Sequence, residues 1–426
     1  MRNADYFRSK NVAVAGLARS GFACAKLIEG LGARVSVTDN QSSDLTRGYA
    51  DQLKQKNIKV EIGAHTEGFI KGKDMLILSP GIPDTALPVI WARKFNVPVI
   101  SEIELAWMLC PSYVIAVTGS NGKTTVTTLI GRVLEASGRK AFVCGNIGNP
   151  FCGEVEKMAA EDFVSLEISS FQLEKIRGFK PRIALILNFT RNHLDRYRDM
   201  EEYLEAKKRV FMNQDGGDYL VLNGEDPVCR GLAQGALPKT AYFSSAPGSN
   251  PNYAAVLAVA SILGIDKELC LRVFSGFKGI EHRLEDVQMI NDVQFINDSK
   301  STTVDSTLWA FKNISRPILL IAGGKDKGSD YGAVSDLIRQ KARAVILIGE
   351  AKGKIKSALR GTADIKEAST LEEAVGLAYL SAKRGDCVLL SPMCSSYDMF
   401  RDYEERGRVF KKSVIDLAKK AISHGA

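Results

Sequence analysis

The stretch VIAVTGSNGKTTVTTLIGRVL, residues 114–134, joins an apolar run to a glycine-rich turn and then to a helix-period segment. Its Gly122-Lys123-Thr124 end is that of a phosphate-binding loop. Free N–H groups and a helix N-terminus favour phosphate there, and the threonine hydroxyl can ligate Mg²⁺. The usual signature, G-x-x-x-x-G-K-[ST], wants glycine at 117, where this chain has Val117; Gly119 supplies a different flexible point. The combination predicts a nucleotide site made by Gly119, Ser120, Asn121, Gly122, Lys123, Thr124 and Thr125.

Other residues could complete such a site. Glu167 lies in the apolar run FVSLEIS, where a carboxylate is costly unless it is paired with a cation or bound to a metal. Next to a phosphate loop it suits Mg²⁺, which takes one or two carboxylates plus phosphate oxygens. In EEYLEAKKRVFM the helical neighbours of Lys207 are Tyr203, Leu204, Val210 and Phe211, whereas Lys208 and Arg209 fall on other faces. A lysine on that stripe either snorkels or has a depressed pKa. In the second case its neutral amine can react with CO₂, and the carbamate is an anionic metal ligand. His193 follows the run RIALILNFT and is one of four histidines, a metal ligand or else a core or surface residue. Lys327 in GGKDKG and Ser396 in SPMCSS each follow a buried-type strand, on loops where open α/β sheets bind ligands.

These residues need three sets of elements to position them. In NVAVAGLARSGFACAKLIEGLGARVSVTDN, a strand at 11–15, a turn, a helix at 21–31 and a strand at 34–38 make a βαβ unit. Ala18 stands where the dinucleotide fingerprint wants its second glycine, which disfavours NAD, while Asp39 is placed for a ribose hydroxyl or base edge. DMLILSPG and VPVISE extend this first segment to about residue 110. The second runs over 111–281 with DFVSLEIS, RIALILNFT and a helix near 200–212. The third, 282–426, alternates strands and helices through VQFIND, RPILLIAGG, RAVILIGE and DCVLLSP. The fold class expected is α/β with three domains, at 1–110, 111–281 and 282–426: Rossmann-like, phosphate-loop and again Rossmann-like.

Composition narrows the function. At 426 residues the chain is too long for one ordinary core. The opening MRNADYFRSK is too polar for a signal peptide, and no apolar run reaches the ~20 residues of a membrane span. Eight cysteines lie singly, without a C-x-x-C pair, as reduced cytosolic thiols would. The net charge of +8 is modest and no basic run marks a nucleic-acid surface. A cytoplasmic monomer with small anionic substrates, and no nucleic-acid or membrane partner, is the expectation.

Taken in order, VTGSNGKTT, GNIG (145–148), SSFQLE (169–174), HLDRY (193–197), AKKR (206–209), HRLE (282–285), NDSK (297–300), GGKDKG, LLSP and the Arg406-Gly407 pair resemble the motifs of the Mur ligases, over essentially the whole chain. The similarity is greatest to the D-glutamate-adding branch, and the loop lacking its first glycine is a form found in that family. The resemblance implies an ATP-dependent amide synthesis in cytoplasmic peptidoglycan precursor assembly, with an acyl-phosphate intermediate. It implies that UDP-N-acetylmuramoyl-L-alanine binds the first domain at Leu17, Ala18, Arg19, Ser20, Asp39, Asn40, Ser79 and Gly81, with Asn146. It further implies an ATP–Mg²⁺ centre of Lys123, Thr124, Glu167, His193 and carbamylated Lys207, with two Mg²⁺ ions. Asn252, Arg283, Asp298 and Lys300 would approach the nucleotide, and Thr302, Lys327, Ser396 and Tyr403 the D-glutamate. Two departures stand out: Arg191-Asn192 replaces a frequent acidic pair, and the segment before Asn252 is short.

The alternatives are a sibling ligase adding another amino acid, a folylpolyglutamate-synthase-like ligase, a nucleotide-gated scaffold, or an NAD oxidoreductase. Phosphate release that needs both a UDP-muramoyl peptide and an amino acid separates them.

Overall fold

The computed structural model describes residues 1–190, 196–246, 250–277, 279–326 and 328–423. It forms two compact units, Met1–Phe277 and Lys278–Ala426.

The first unit holds two parallel sheets. One contains β1 (Asn11–Ala15), β2 (Arg34–Asp39), β3 (Lys59–Ile62), β4 (Met75–Leu78) and β5 (Val99–Ser101), in the order β3-β2-β1-β4-β5. The expected strands at 11–15 and 34–38 are present, and the helix between them runs Arg19–Gly30, starting two residues earlier than its periodicity suggests. Strand alternation sends Val12 and Val14 into one apolar layer and Ala13 and Ala15 into the other, so both faces are covered, as parallel sheets require. The order reverses between β1 and β4, which opens a crevice at their carboxyl ends.

The second sheet contains β6 (Tyr113–Thr118), β7 (Ala141–Gly145), β8 (Phe163–Glu167), β9 (Ile183–Ile186), β10 (Tyr219–Asn223) and β11 (Lys239–Phe243), ordered β11-β10-β9-β6-β8-β7. The switch point is β6, the strand that feeds the phosphate loop. One apolar cluster runs through both sheets, and at its seam the Cys24 and Cys152 sulfurs lie 3.5 Å apart. All eight cysteines are free and buried.

The helix Glu102–Leu109 links the sheets. Glu104 anchors it by accepting the backbone N–H groups of Arg177, Gly178 and Phe179 at 2.8–2.9 Å. Glu102 is also buried; its Oε1 accepts the Cys152 N–H at 2.7 Å, and its Oε2 has no partner. Burial pushes this carboxyl up to about 7. The folded state therefore holds the proton more tightly than the unfolded chain. The stability this contributes is complete below the ordinary value of 4.5 and is lost as pH rises through about 7. We expect Glu102→Gln to flatten the pH dependence of unfolding in that window and to be more stable than the parent above it. Denaturant titrations at several pH values check this; parallel curves for parent and variant would assign the titration to another group.

The second unit is a six-stranded sheet: β12 (Glu285–Ile290), β13 (Val293–Asn297), β14 (Ile318–Gly323), β15 (Ala342–Ile348), β16 (Asp364–Glu367) and β17 (Cys387–Leu390), ordered β12-β13-β17-β14-β15-β16. It departs from an all-parallel arrangement at one edge, where β12 and β13 are antiparallel across the Asn291-Asp292 turn, both residues having positive φ. The loops after β13, β17 and β14 thus emerge side by side at one sheet edge. Among the described residues no helix is long and apolar enough to cross a membrane.

Candidate active site

The phosphate loop leaves β6 through Gly119 (φ 149°) and enters the helix Lys123–Ala136 at Gly122 (φ 83°), whose N-terminus has no side-chain cap. The first-turn N–H groups thus lack the side-chain acceptor that would otherwise compete with a phosphate. The positive φ at Gly122 favours glycine, and the side-chain oxygen of Asn252 lies where a Cβ would stand, which brings Asn252 against the loop. Asn188, at the end of the β9 run, holds the turn: its Oδ1 accepts Asn121 N–H at 2.8 Å and its Nδ2 donates to the Asn121 carbonyl at 3.0 Å. The Ser120 hydroxyl donates to the Thr190 carbonyl at 3.1 Å. Thr125 is half-buried on the first helical turn.

Two amines converge on one oxygen. Lys123 Nζ donates to the carbonyls of Gly119 and Ser120, each at 3.0 Å, and Lys207 Nζ donates to the Gly119 carbonyl at 3.0 Å. Lys207 is 1% exposed and does not snorkel; its amine also sits 4.6 Å from the centre of the Tyr203 ring. Desolvation first, and then the nearby Lys123 charge, lower its pKa well below that of an ordinary lysine.

Glu167 ends β8, in register with Val117 on one side and Gly145 on the other. It is 1% exposed, and no salt bridge holds it among the described residues. Its Oε1 accepts Asn146 Nδ2 at 2.9 Å, and its backbone carbonyl accepts Asn146 N–H at 2.9 Å. Its Oε2 and the Thr124 hydroxyl oxygen are both buried and without a hydrogen-bond partner. Orphaned oxygens of a carboxylate and a threonine beside a phosphate loop fit a hard divalent cation. His193 and the Arg191-Asn192 pair lie outside the described residues.

In the first sheet the turn after β1 is closed by Gly16 (φ 91°) and Gly21, where a Cβ would strike the Gly16 carbonyl. Leu17 is buried behind it, whereas Ala18, Arg19 and Ser20 at the helix start reach the surface, and Ala18 caps no donor with its side chain. Asp39 also has a local role. Its two oxygens accept the Leu17 N–H at 2.6 Å and the Gln41 N–H at 2.7 Å, so it fastens the turn. Asn40 is exposed beside it. Ser79 and Gly81 follow β4, across the crevice, with the Ser79 N–H on the Ala15 carbonyl.

In the second unit Asp298 is buried after β13. Its Oδ2 accepts the Ser391 hydroxyl at 2.9 Å and its Oδ1 the Leu284 N–H at 3.2 Å; burial raises the carboxyl to about 6. Lys300 Nζ lies 5.5 Å from the centre of the Tyr403 ring. Thr302 is half-buried on the same loop, Ser396 is buried after β17, and Arg283 is exposed before β12. A bridge between Lys325 and Ser395 joins the β14 and β17 loops. Lys327 lies outside the described residues.

The sequence reading missed Asn188 and Arg406 as single residues. A polar side chain just past a buried strand was the signal for the first. For the second the only signal was the Arg406-Gly407 pair in the family resemblance, because a fully buried arginine looks in sequence like any helical surface arginine.

With this geometry in place, comparison with known proteins is informative. Residues 10–101 match the Mur ligase MurD-like N-terminal domain, 117–261 the Mur ligase middle domain, and 282–394 the Mur ligase glutamate ligase domain. The UDP-N-acetylmuramoylalanine–D-glutamate ligase of Thermoanaerobacter sp. (strain X514) is 39% identical, over 96% of this chain and 99% of that protein. That of Geotalea uraniireducens is 40% identical, over 96% and 98%. The fold is shared with UDP-N-acetylmuramate-alanine ligase MurC of Thermotoga maritima, at a TM-score of 0.58 and 18% identity over 96% of this chain and 99% of that one. MurF ligase of the same organism, solved with ADP, has a TM-score of 0.56 and 14% identity over 98% of each chain. Three matched domains and near-full-length identity make this chain a member of the Mur ligase family, in its UDP-N-acetylmuramoylalanine–D-glutamate ligase branch.

Proposed function

We propose that this ligase joins D-glutamate to UDP-N-acetylmuramoyl-L-alanine at the expense of ATP, as a cytoplasmic step in peptidoglycan precursor synthesis. The observation that carries the reading is the phosphate loop with two convergent lysines above a buried, half-satisfied Glu167. In this reading residues 1–110 take the UDP substrate, 111–281 the ATP and 282–426 the amino acid.

The first step is attack of the alanyl carboxylate on the γ-phosphorus of ATP, which gives an acyl phosphate and ADP. The D-glutamate amine then adds to the acyl carbon, and phosphate leaves the tetrahedral intermediate. Little covalent chemistry falls to the protein, which must align three reactants and neutralise phosphate charge. The loop N–H groups from Gly119 to Thr125 cradle the phosphates, and Lys123 turns from its own loop carbonyls to the phosphate oxygens. Asn252, Arg283, Asp298 and Lys300 serve the rest of the nucleotide. Mg²⁺ would be held by Thr124, Glu167, His193 and a carbamate on Lys207, and would supply further charge neutralisation. Burial and the nearby Lys123 charge shift Lys207 towards its neutral amine, the form that reacts with CO₂. The turn from Leu17 to Ser20, with Asp39, Asn40, Ser79, Gly81 and Asn146, receives the UDP substrate. Thr302, Lys327, Ser396 and Tyr403 receive the two carboxylates of D-glutamate.

Phosphate release tests the reading. It should require ATP, the UDP-muramoyl substrate and the amino acid together. Release with ATP alone at a comparable rate would favour a nucleotide-gated scaffold.

A further inference from the structure

Among the described residues Arg406 is the largest fully buried side chain. It lies on the helix Tyr403–Ser423, and among the described residues no carboxylate is bonded to it. The nearby Asp398 acts on it through space only: its Oδ2 accepts the Glu350 N–H at 2.8 Å and its Oδ1 is buried without a hydrogen-bond partner. Desolvation lowers the guanidinium to about 10, which leaves it a cation at neutral pH.

A buried cation with no carboxylate hydrogen-bonded to it is unfavourable, and for packing alone an apolar side chain of that volume would do better. What the guanidinium holds accounts for its presence. Its Nε donates to the Ser299 hydroxyl at 3.0 Å and its Nη2 to the Ser299 carbonyl at 2.9 Å. Its Nη1 and Nη2 both donate to the Cys394 carbonyl at 3.2 Å. Ser299 in turn donates its hydroxyl to the Tyr403 carbonyl at 2.8 Å. A Cβ on Gly324 would stand 3.2 Å from Nη1, so the loop after β14 is pressed against the same group. One planar fork therefore ties together the loops that follow β13 and β17, with the loop after β14 packed beside it. Ser299 is next to Lys300, and Cys394 is two residues from Ser396.

We propose that Arg406 is a positioning residue for the acceptor amino acid, clamping the 298–302 loop to the 391–396 loop and so fixing Thr302 against Ser396. The inference rests on the reading that these loops bind the acceptor. A lysine cannot replace the clamp, because a point donor does not span acceptors on two loops as a guanidinium fork does.

The test compares Arg406→Met and Arg406→Lys with the parent, using whichever amino acid the parent itself accepts. A wrong acceptor assignment then shows in the parent, and a wrong inference shows in the ratio of variant to parent. Both variants should keep the parent's far-UV spectrum and a cooperative melt. Their KM for the amino acid should rise about tenfold or more, with KM for the UDP substrate within about twofold and KM for ATP, which shares the 298–302 loop, raised less than that for the amino acid. In Arg406→Ala, millimolar methylguanidinium should lower the raised KM, and methylammonium should not. An unchanged amino-acid KM in either folded variant would overturn the proposal. So would a rise of all three KM values in step with loss of folded protein.

Discussion

Lys207→Ala is expected to fold and to lose about 10²–10³ of its turnover, with partial recovery in short carboxylates such as acetate. The expectation follows from three facts about one amine. It is buried, among the described residues it hydrogen-bonds only the Gly119 carbonyl, and the charge of Lys123 stands close by. Such a lysine pays for its position in desolvation, so removing it should not lower the melting temperature by more than the loss of packing accounts for. A purely structural lysine would show the reverse pattern: stability falls and activity follows it. Acetate supplies the two oxygens that a carbamate would carry, in the space the shortened side chain vacates. Activity measured across an acetate series, beside thermal melts, separates the cases. Retention of most of the activity in the variant would make Lys207 a packing residue.

Lys123→Ala should remove phosphate release to a comparable extent while leaving affinity for the UDP substrate within about twofold. Lys123 touches the loop carbonyls of Gly119 and Ser120, whereas the proposed UDP site is built on β1, β2 and β4 with the Gly16–Gly21 turn. Titration calorimetry with the UDP substrate and a phosphate assay check the two halves separately. A loss of UDP-substrate affinity matching the loss of turnover would contradict the division of labour.

Much of this arrangement was legible before any coordinates. β1 and the run into the phosphate loop announce themselves through unbroken apolar stretches ending in glycine, the mark of strands buried on both faces. Lys207 was legible because helical periodicity set it among Tyr203, Leu204 and Val210, against its own chemistry. Glu167 was legible as a carboxylate in a strand, although the orphaned state of its Oε2 is a fact of three dimensions. Partner choice was not legible. Asp39 was read as placed for a ribose hydroxyl or base edge, but the Leu17 and Gln41 N–H groups that its oxygens accept were not foreseen, because a tight turn presents backbone donors that sequence does not display. The antiparallel edge at β12 also escaped, since a strand's direction follows from how its turn closes and not from its own pattern. Arg406 escaped for the opposite reason to Lys207: its neighbours in sequence, Glu404, Glu405 and Arg408, are those of a solvated helix face.

The central claim is that the third domain selects D-glutamate, and a panel of amino acids assayed with ATP and UDP-N-acetylmuramoyl-L-alanine tests it most directly. An acceptor with two carboxylates needs positive charge and donors at both ends, which Lys327, Ser396 and Thr302 are proposed to supply. A site built for a charged group rejects analogues that leave its polar groups unpaired, by roughly 10⁴-fold in favourable cases. With product identified by mass, the account predicts efficient use of D-glutamate, poor use of D-glutamine and D-alanine, and failure of L-glutamate. Preferred use of L-lysine, diaminopimelate or L-alanine would contradict it.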